Sequence, residues 1–137
     1  MIYAICRQDR IGSPGRLLLF KSTDEVNWDT LAYNVYDANT RQSTYYGGYL
    51  SALAVHDGTI FIGTSQTEVL VKSPQDIGFM KALNDDNDDI VQFTFSDGNI
   101  FASGLRSGLY ESTDSGKAGT KFWDSGFIPI IGMKCLP

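Results

Sequence analysis

A phrase made of an apolar strand, a short turn, a second strand and a Ser-rich turn occurs three times in this chain. Residues 60–76 read IFIGTSQTEVLVKSPQD and residues 100–114 read IFASGLRSGLYESTD. Residues 2–24 carry a longer version, in which IYAIC and LLLFKSTD flank a polar loop. The second and third copies are each introduced by a further strand ending in Asp-Gly, LSALAVHDG at 50–58 and IVQFTFSDG at 90–98. Asp57 to Asp97 and Phe61 to Phe101 are both 40 residues apart, so the chain is a repeat protein with a period of about 40.

Strand positions follow from alternation and from the turns. Leu53 and Val55 in one copy and Phe93 and Phe95 in the next point to one face, and the Asp57-Gly58 and Asp97-Gly98 pairs are two-residue hairpin turns that accept positive φ. The spacing predicts strands at about 49–56, 59–64, 67–73 and 79–83 in the second unit, and at about 89–96, 99–104, 107–113 and 121–125 in the third. No helix is required. Four strands per period of about 40 residues is the range of β-propeller blades and not of helical solenoids. The expected fold class is therefore all-β: a single propeller domain over 1–137 with three four-stranded antiparallel blades, at about 1–36 plus a strand from 128–136, 49–83 and 89–125.

The first unit lacks an opening strand, because Met1-Ile2-Tyr3 aligns with Thr59-Ile60-Phe61. Residues 128–137, IPIIGMKCLP, repeat the pattern of such a strand, with Met133 and Cys135 in the places of Phe93 and Phe95. A strand displaced to the other terminus is how propellers close their ring without leaving an edge. Three blades are too few for a ring, whereas two chains supply six. The simplest expectation is a homodimer in which residues 128–136 of one chain pair with residues 1–7 of the other. The alternatives are a ring completed by different chains, and a compact three-bladed body that pairs its own termini.

The turns at the third-to-fourth strand junction are Ser22-Thr23-Asp24-Glu25-Val26-Asn27-Trp28 and Ser112-Thr113-Asp114-Ser115-Gly116-Lys117, the latter followed by Trp123. They resemble the Asp-box, or BNR repeat, of sialidase-like β-propellers, whose pattern is Ser-x-Asp-x-Gly-x-Thr-Trp. The match is best at Ser112, Asp114 and Gly116; the first copy is a residue short with Val26 for Gly, and Ser73-Pro74-Gln75-Asp76 shifts its acid and uses Phe79 as its aromatic. The resemblance implies a structural role for Ser22, Asp24, Trp28, Ser112, Asp114, Gly116 and Trp123. The carboxylate accepts amides of the turn, the Gly takes the strained dihedral and the aromatic packs beneath, on a rim away from any active site.

A sialidase-like glycosidase would also need an arginine cluster, an acid/base carboxylate and a Tyr activated by Glu. Glu25 and Glu111 fall beside the rim turns and Glu68 begins a strand, so none is placed to partner a nucleophile. His56 is the sole histidine, and no Ser/His/Asp or Cys/His arrangement, phosphate-cradling loop, cofactor motif or metal motif is recognisable. The net charge of −5, with no run of Lys or Arg, argues against nucleic acid and anionic membranes as partners. Apolar runs extend over only a few residues, as at 17–20, so neither a membrane span nor a signal peptide is expected, and a cytoplasmic or virion location is. The acidic stretch Asn84-Asp85-Asp86-Asn87-Asp88-Asp89 lacks the Gly and distal Glu of an EF-hand loop and reads as an Asx-rich turn.

One pattern suggests a contact surface. The second-to-third-strand loops and the interblade connections share one end of the blades, and all five arginines, Arg7, Arg10, Arg16, Arg41 and Arg106, fall on or beside it. The connection 33–49 adds Tyr33, Tyr36, Tyr45, Tyr46 and Tyr49. Arginine suits carboxylates and aromatic stacking, and tyrosine suits glycans and protein interfaces alike. The plainer readings are solubilising loop charges and tyrosines buried under their own loop. The expected binding residues are Arg10, Arg41, Tyr45, Tyr46 and Arg106. The function expected is a non-catalytic propeller module, a structural or recognition component that meets a protein or a glycan, and a short chain of this type also suits a building block of a viral particle. The alternative is a degenerate or partial sialidase-like glycoside hydrolase.

The two cysteines, Cys6 and Cys135, are expected to be unpaired. If Met133 and Cys135 replace Phe93 and Phe95, Cys135 lies opposite Ile2, and Cys6 is four residues further along, about 13 Å at strand rise and beyond disulfide reach. Non-reducing mass measurement should show both thiols; loss of two hydrogens within one chain, or a covalent dimer, would overturn this register.

Overall fold

The computed structural model describes residues 1–10, 13–31, 34–37, 42–45, 50–64, 68–84, 89–106 and 108–123, for 6–10, 13–18, 34–37, 42–45, 84, 122 and 123 the backbone alone. The fold is all-β. Unit one is a three-stranded antiparallel sheet of β1 (Ile2–Arg10), β2 (Ser13–Ser22) and β3 (Asp29–Leu31), and a separate hairpin follows as β4 (Asn34–Asp37) and β5 (Gln42–Tyr45). Unit two is a four-stranded meander of β6 (Leu50–His56), β7 (Thr59–Thr64), β8 (Glu68–Lys72) and β9 (Met80–Asn84). Unit three repeats it as β10 (Ile90–Ser96), β11 (Asn99–Gly104), β12 (Leu109–Ser112) and β13 (Thr120–Trp123). No sheet closes on itself among the described residues, and none of them forms a helix long and apolar enough to cross a membrane.

Local chemistry explains the hairpins. Asp57 and Gly58 take φ of 49° and 75°, and Asp97 and Gly98 take 50° and 80°, the paired positive values that match the right-handed twist of the flanking strands. The repeat extends to the irregularities of the ladders. A register shift between Leu50 and Ala52 recurs between Ile90 and Gln92, and one between Val69 and Leu70 recurs between Leu109 and Tyr110, each 40 residues on (90 − 50 and 109 − 69). Such a shift flips every side chain beyond it to the other face, which is why Leu50 joins the same core as Leu53 while Ala52 and Ala54 join another.

The sheets stack face to face with unit two in the middle. Along β7 and β8, Ile60, Ile62 and Leu70 face unit one and pack with Leu19, Tyr3, Ile5 and Leu31. Phe61, Val69 and Val71 face unit three and pack with Ile90, Ile100, Ala102 and Tyr110. Both faces of the middle sheet are dry, which accounts for the near-continuous apolar run IFIG in β7, where a sheet with one wet face would alternate. Burying Ile62 and Leu70 completely is worth about 1.5–3 kcal/mol each. The same faces are used at both junctions: Ile100 and Ala102, 40 residues beyond Ile60 and Ile62, face back onto unit two as the earlier pair faces back onto unit one.

Two stretches differ from the reading of the sequence. The polar loop expected at 8–16 is largely strand, with Gln8 opposite Arg16 and Arg10 opposite Ser13, because backbone pairing continues along a hairpin whether or not its side chains alternate. The connection at 33–48, expected as loop, holds the β4–β5 hairpin, with Asn34 opposite Tyr45 and Asp37 opposite Gln42. The segment 128–137, with Cys135 and the proposed closing strand, lies outside the described residues.

Gly63 sets the spacing between units two and three. A methyl there would come within 2.6 Å of Ile90 Cγ2 and 2.7 Å of its Cβ, and 3.1 Å from Ala52 Cβ. Gly63→Ala is expected to lower stability by about 1–3 kcal/mol, the range for overpacking a tight core. Urea unfolding measures this; a loss below about 0.5 kcal/mol, the size of an ordinary surface substitution, would show that β10 does not press on β7.

Candidate functional site

Strands β2, β8 and β12 are each followed by a turn organised by an acid. In the first, Ser22 Oγ accepts the amide of Glu25 at 2.9 Å, and Asp24 Oδ1 accepts the amides of Val26 at 3.0 Å and Asn27 at 2.8 Å. Asn27 Nδ2 donates to the other carboxylate oxygen at 2.7 Å. In the third, Ser112 Oγ donates to Asp114 Oδ1 at 2.7 Å and accepts the Gly116 amide at 3.0 Å, while Asp114 Oδ1 also accepts the Ala118 amide at 3.0 Å. The second turn reverses the order, the Ser73 amide donating to Asp76 Oδ2 at 2.8 Å. Gly116 has φ of 85°, and a Cβ on it would lie 2.6 Å from Phe61 Cε1, so this turn of unit three rests on the core ring of unit two. Trp28 is 42% exposed, whereas Phe79 is 1% exposed and belongs to the core between units one and two. Trp123 is the last residue of β13, opposite Leu109.

These hydrogen bonds act on the carboxylates. The Asn27 amide, then its side chain and the Val26 amide, hold Asp24 far below the usual aspartate range, and the Ala118 amide with the Ser112 hydroxyl lowers Asp114. A carboxylate whose folded pKa is depressed stabilises the fold fully above its unfolded value, near 3.8, and loses that contribution as pH falls toward the folded value.

The arginine and tyrosine positions are placed in part. Arg10 is the last residue of β1, at the tip of the β1–β2 hairpin, and Arg106 is exposed in the turn after β11. That turn is held by the Gly104 amide on Gly108 O and the Leu105 amide on Asp89 O, both at 2.8 Å. Within its own unit, each position is at the end opposite the Ser-x-Asp turn, because the strands alternate in direction. Tyr45 ends β5, opposite Asn34. Arg41, Tyr46 and residues 85–88 of the acidic stretch lie outside the described residues.

The structure also forms a feature that the sequence reading used only as turns. A cleft of about 380 Å³ opens between the β6–β7 and β10–β11 hairpins, on the Ser-x-Asp side of the sheets. Asp57 and Asp97 stand at its edges, and Phe61, Phe95 and Ile100 line its depth. His56 lies flat on Phe95, ring centres 4.4 Å apart and planes 12° apart, with Nε2 3.5 Å from Asp57 Oδ2. The available signal was positional: Asp57 and Asp97 are equivalent sites of successive repeats, and stacking equivalent sites brings them to one rim. Glu68, at the start of β8, is 5% exposed and accepts from Lys81 Nζ across the β8–β9 pair. Among the described residues no group of three His, Cys, Asp or Glu side chains could hold a metal ion.

Comparison with family models, with curated proteins and with solved structures finds no match to this chain.

Asp24→Asn and Asp114→Asn keep an acceptor oxygen in the turn but cannot titrate. The wild-type melting temperature should fall as pH is lowered from about 4, and the double variant should lose much of that fall while keeping the same fold. An unchanged pH dependence in the double variant would show that other carboxylates govern acid unfolding.

Proposed function

We propose that the chain is a non-catalytic, propeller-type module that closes a six-bladed ring with a second copy of itself and serves as a structural or recognition component of a larger assembly. The observation that carries this reading is the equivalence of the two sheet junctions. Unit two meets unit one through Ile60 and Ile62, and unit three meets unit two through Ile100 and Ala102, at the same positions of the repeat. A stack built this way has a head and a tail: Phe101 and Leu109 repeat Phe61 and Val69, and in the first unit Ile2 and Phe20 stand where Ile60 and Leu70 stand in the second. Head-to-tail contacts of one kind generate a ring whenever the rotation per unit closes, and six blades fall within the range over which propellers close.

On this reading the Arg10, Arg41, Tyr45, Tyr46 and Arg106 end presents the contact surface to a protein or glycan. The support is that Arg10 and Arg106 occupy corresponding ends of their own units and that guanidinium groups suit desolvated polar contacts.

Light scattering tests the ring. Purified protein at micromolar concentration should have the mass of two chains, and deletion of residues 128–137 should yield aggregating monomers. A stable monomer of the full chain excludes the six-bladed dimer.

A further inference from the structure

The cleft between the β6–β7 and β10–β11 hairpins is lined by two aspartates, other polar side chains and aromatic rings. Asp57 and Asp97, one from each hairpin, are among its lining residues, and Asp57 Oδ2 lies 3.5 Å from His56 Nε2. Ser96 Oγ donates to Asp97 Oδ2 at 3.4 Å, and one N–H of the Asn99 amide is taken by Glu111 Oε1 at 2.9 Å, so that side chain has its oxygen and one remaining N–H to offer. The floor is apolar, formed by Phe61, Phe95 and Ile100, and the His56 ring stacked on Phe95 extends it as a flat shelf. A ligand with positive charge, several donors and an apolar stem complements the two aspartates and the aromatic floor.

We propose that this cleft receives an arginine side chain of a partner protein. Guanidinium supplies five N–H donors in a plane, stacks on aromatic faces and is weakly hydrated, while its three methylenes match the apolar floor. An ammonium is a compact, strongly hydrated point charge and uses the flat shelf less well. A neutral sugar would answer the acceptors but not the two carboxylates, on a chain whose net charge is already −5. Asp57 is 91% exposed in its side chain, so one isolated arginine binds weakly and with strong salt dependence; affinity for a whole partner comes from the surrounding surface. The inference goes beyond the contact surface proposed above, because the cleft lies at the end of the sheets opposite Arg106. The cleft lies within one chain, so a monomer in light scattering would overturn the ring and leave the cleft standing.

The test is an NMR titration of the full-length ¹⁵N-labelled protein with the peptide acetyl-Gly-Gly-Arg-Gly-Gly-amide and with its citrulline twin, which keeps the shape and hydrogen-bonding edge but not the charge. The arginine peptide should shift the amides of His56, Asp57 and Gly58 and of Ser96, Asp97, Gly98 and Asn99, and added salt should weaken it several-fold. The citrulline peptide should bind roughly tenfold more weakly, as expected when a charge-assisted contact becomes neutral. Asp57→Asn and Asp97→Asn should each weaken the arginine peptide, and the double variant should abolish the shifts; if that variant does not fold, the arginine–citrulline comparison on the wild type decides. Equal response to both peptides, unchanged binding by folded variants, shifts confined to the Gly104, Leu105 and Arg106 end, or no shift at millimolar peptide would each overturn the proposal. A response to methyl glucoside with none to the arginine peptide would overturn the ligand class.

Discussion

Everything in the described fold depends on one sheet having two dry faces. Strands β7 and β8 send alternate side chains into two separate cores, one shared with unit one and one with unit three. A change on either strand therefore perturbs one junction and leaves the other, so the units hold one another through a shared middle layer. Closeness at the second junction comes from Gly63, whose missing side chain lets Ile90 of β10 sit against the backbone of β7, and from the Ser51 hydroxyl, which donates to Ile90 O at 2.5 Å. The outer ends of the same two sheets are tied by the Gly119 amide, which donates to Ala82 O at 3.0 Å.

The Ser-x-Asp turns combine a local task with a tertiary one. Locally, the acid satisfies amides that a tight reversal leaves without strand partners, and its own pKa falls as a consequence. In the third unit the turn also reaches across to unit two, because the positive φ of Gly116 brings its backbone against Phe61. Phe61 in turn packs at a tilt against Phe93 and Phe95, with ring centres 6.0 and 5.4 Å away. The aromatic floor of the cleft and the anchor of the turn are thus one cluster, and the geometry of the cleft depends on the junction holding its spacing.

Charge follows the same division between core and rim. The one carboxylate buried in the described core, Glu68, pairs through Oε1 with Lys81 on the neighbouring strand. Asp57 and Asp97 sit instead where water reaches them. An acidic rim above an aromatic floor is a surface suited to recognising a cation, and it lies at the end of the sheets opposite Arg106.

Much of the β-architecture was legible in the residues. The 40-residue period, the Asp-Gly turns and the apolar alternation marked the strands of units two and three closely, because each is a local signal: a turn type needs positive φ, and a face needs every second residue apolar. The hairpin at β4–β5 and the long extension of β1 and β2 were not legible, since polar strands carry their pairing in the backbone and not in side-chain pattern. For the cleft the residues carried only a positional signal, the equivalence of Asp57 and Asp97 in successive repeats. By itself the sequence determined the repeat, its strands and the acids of its turns; only the tertiary structure decided that two turns 40 residues apart would share a rim, because that depends on sheets stacking at a distance set by a glycine and an isoleucine in different units.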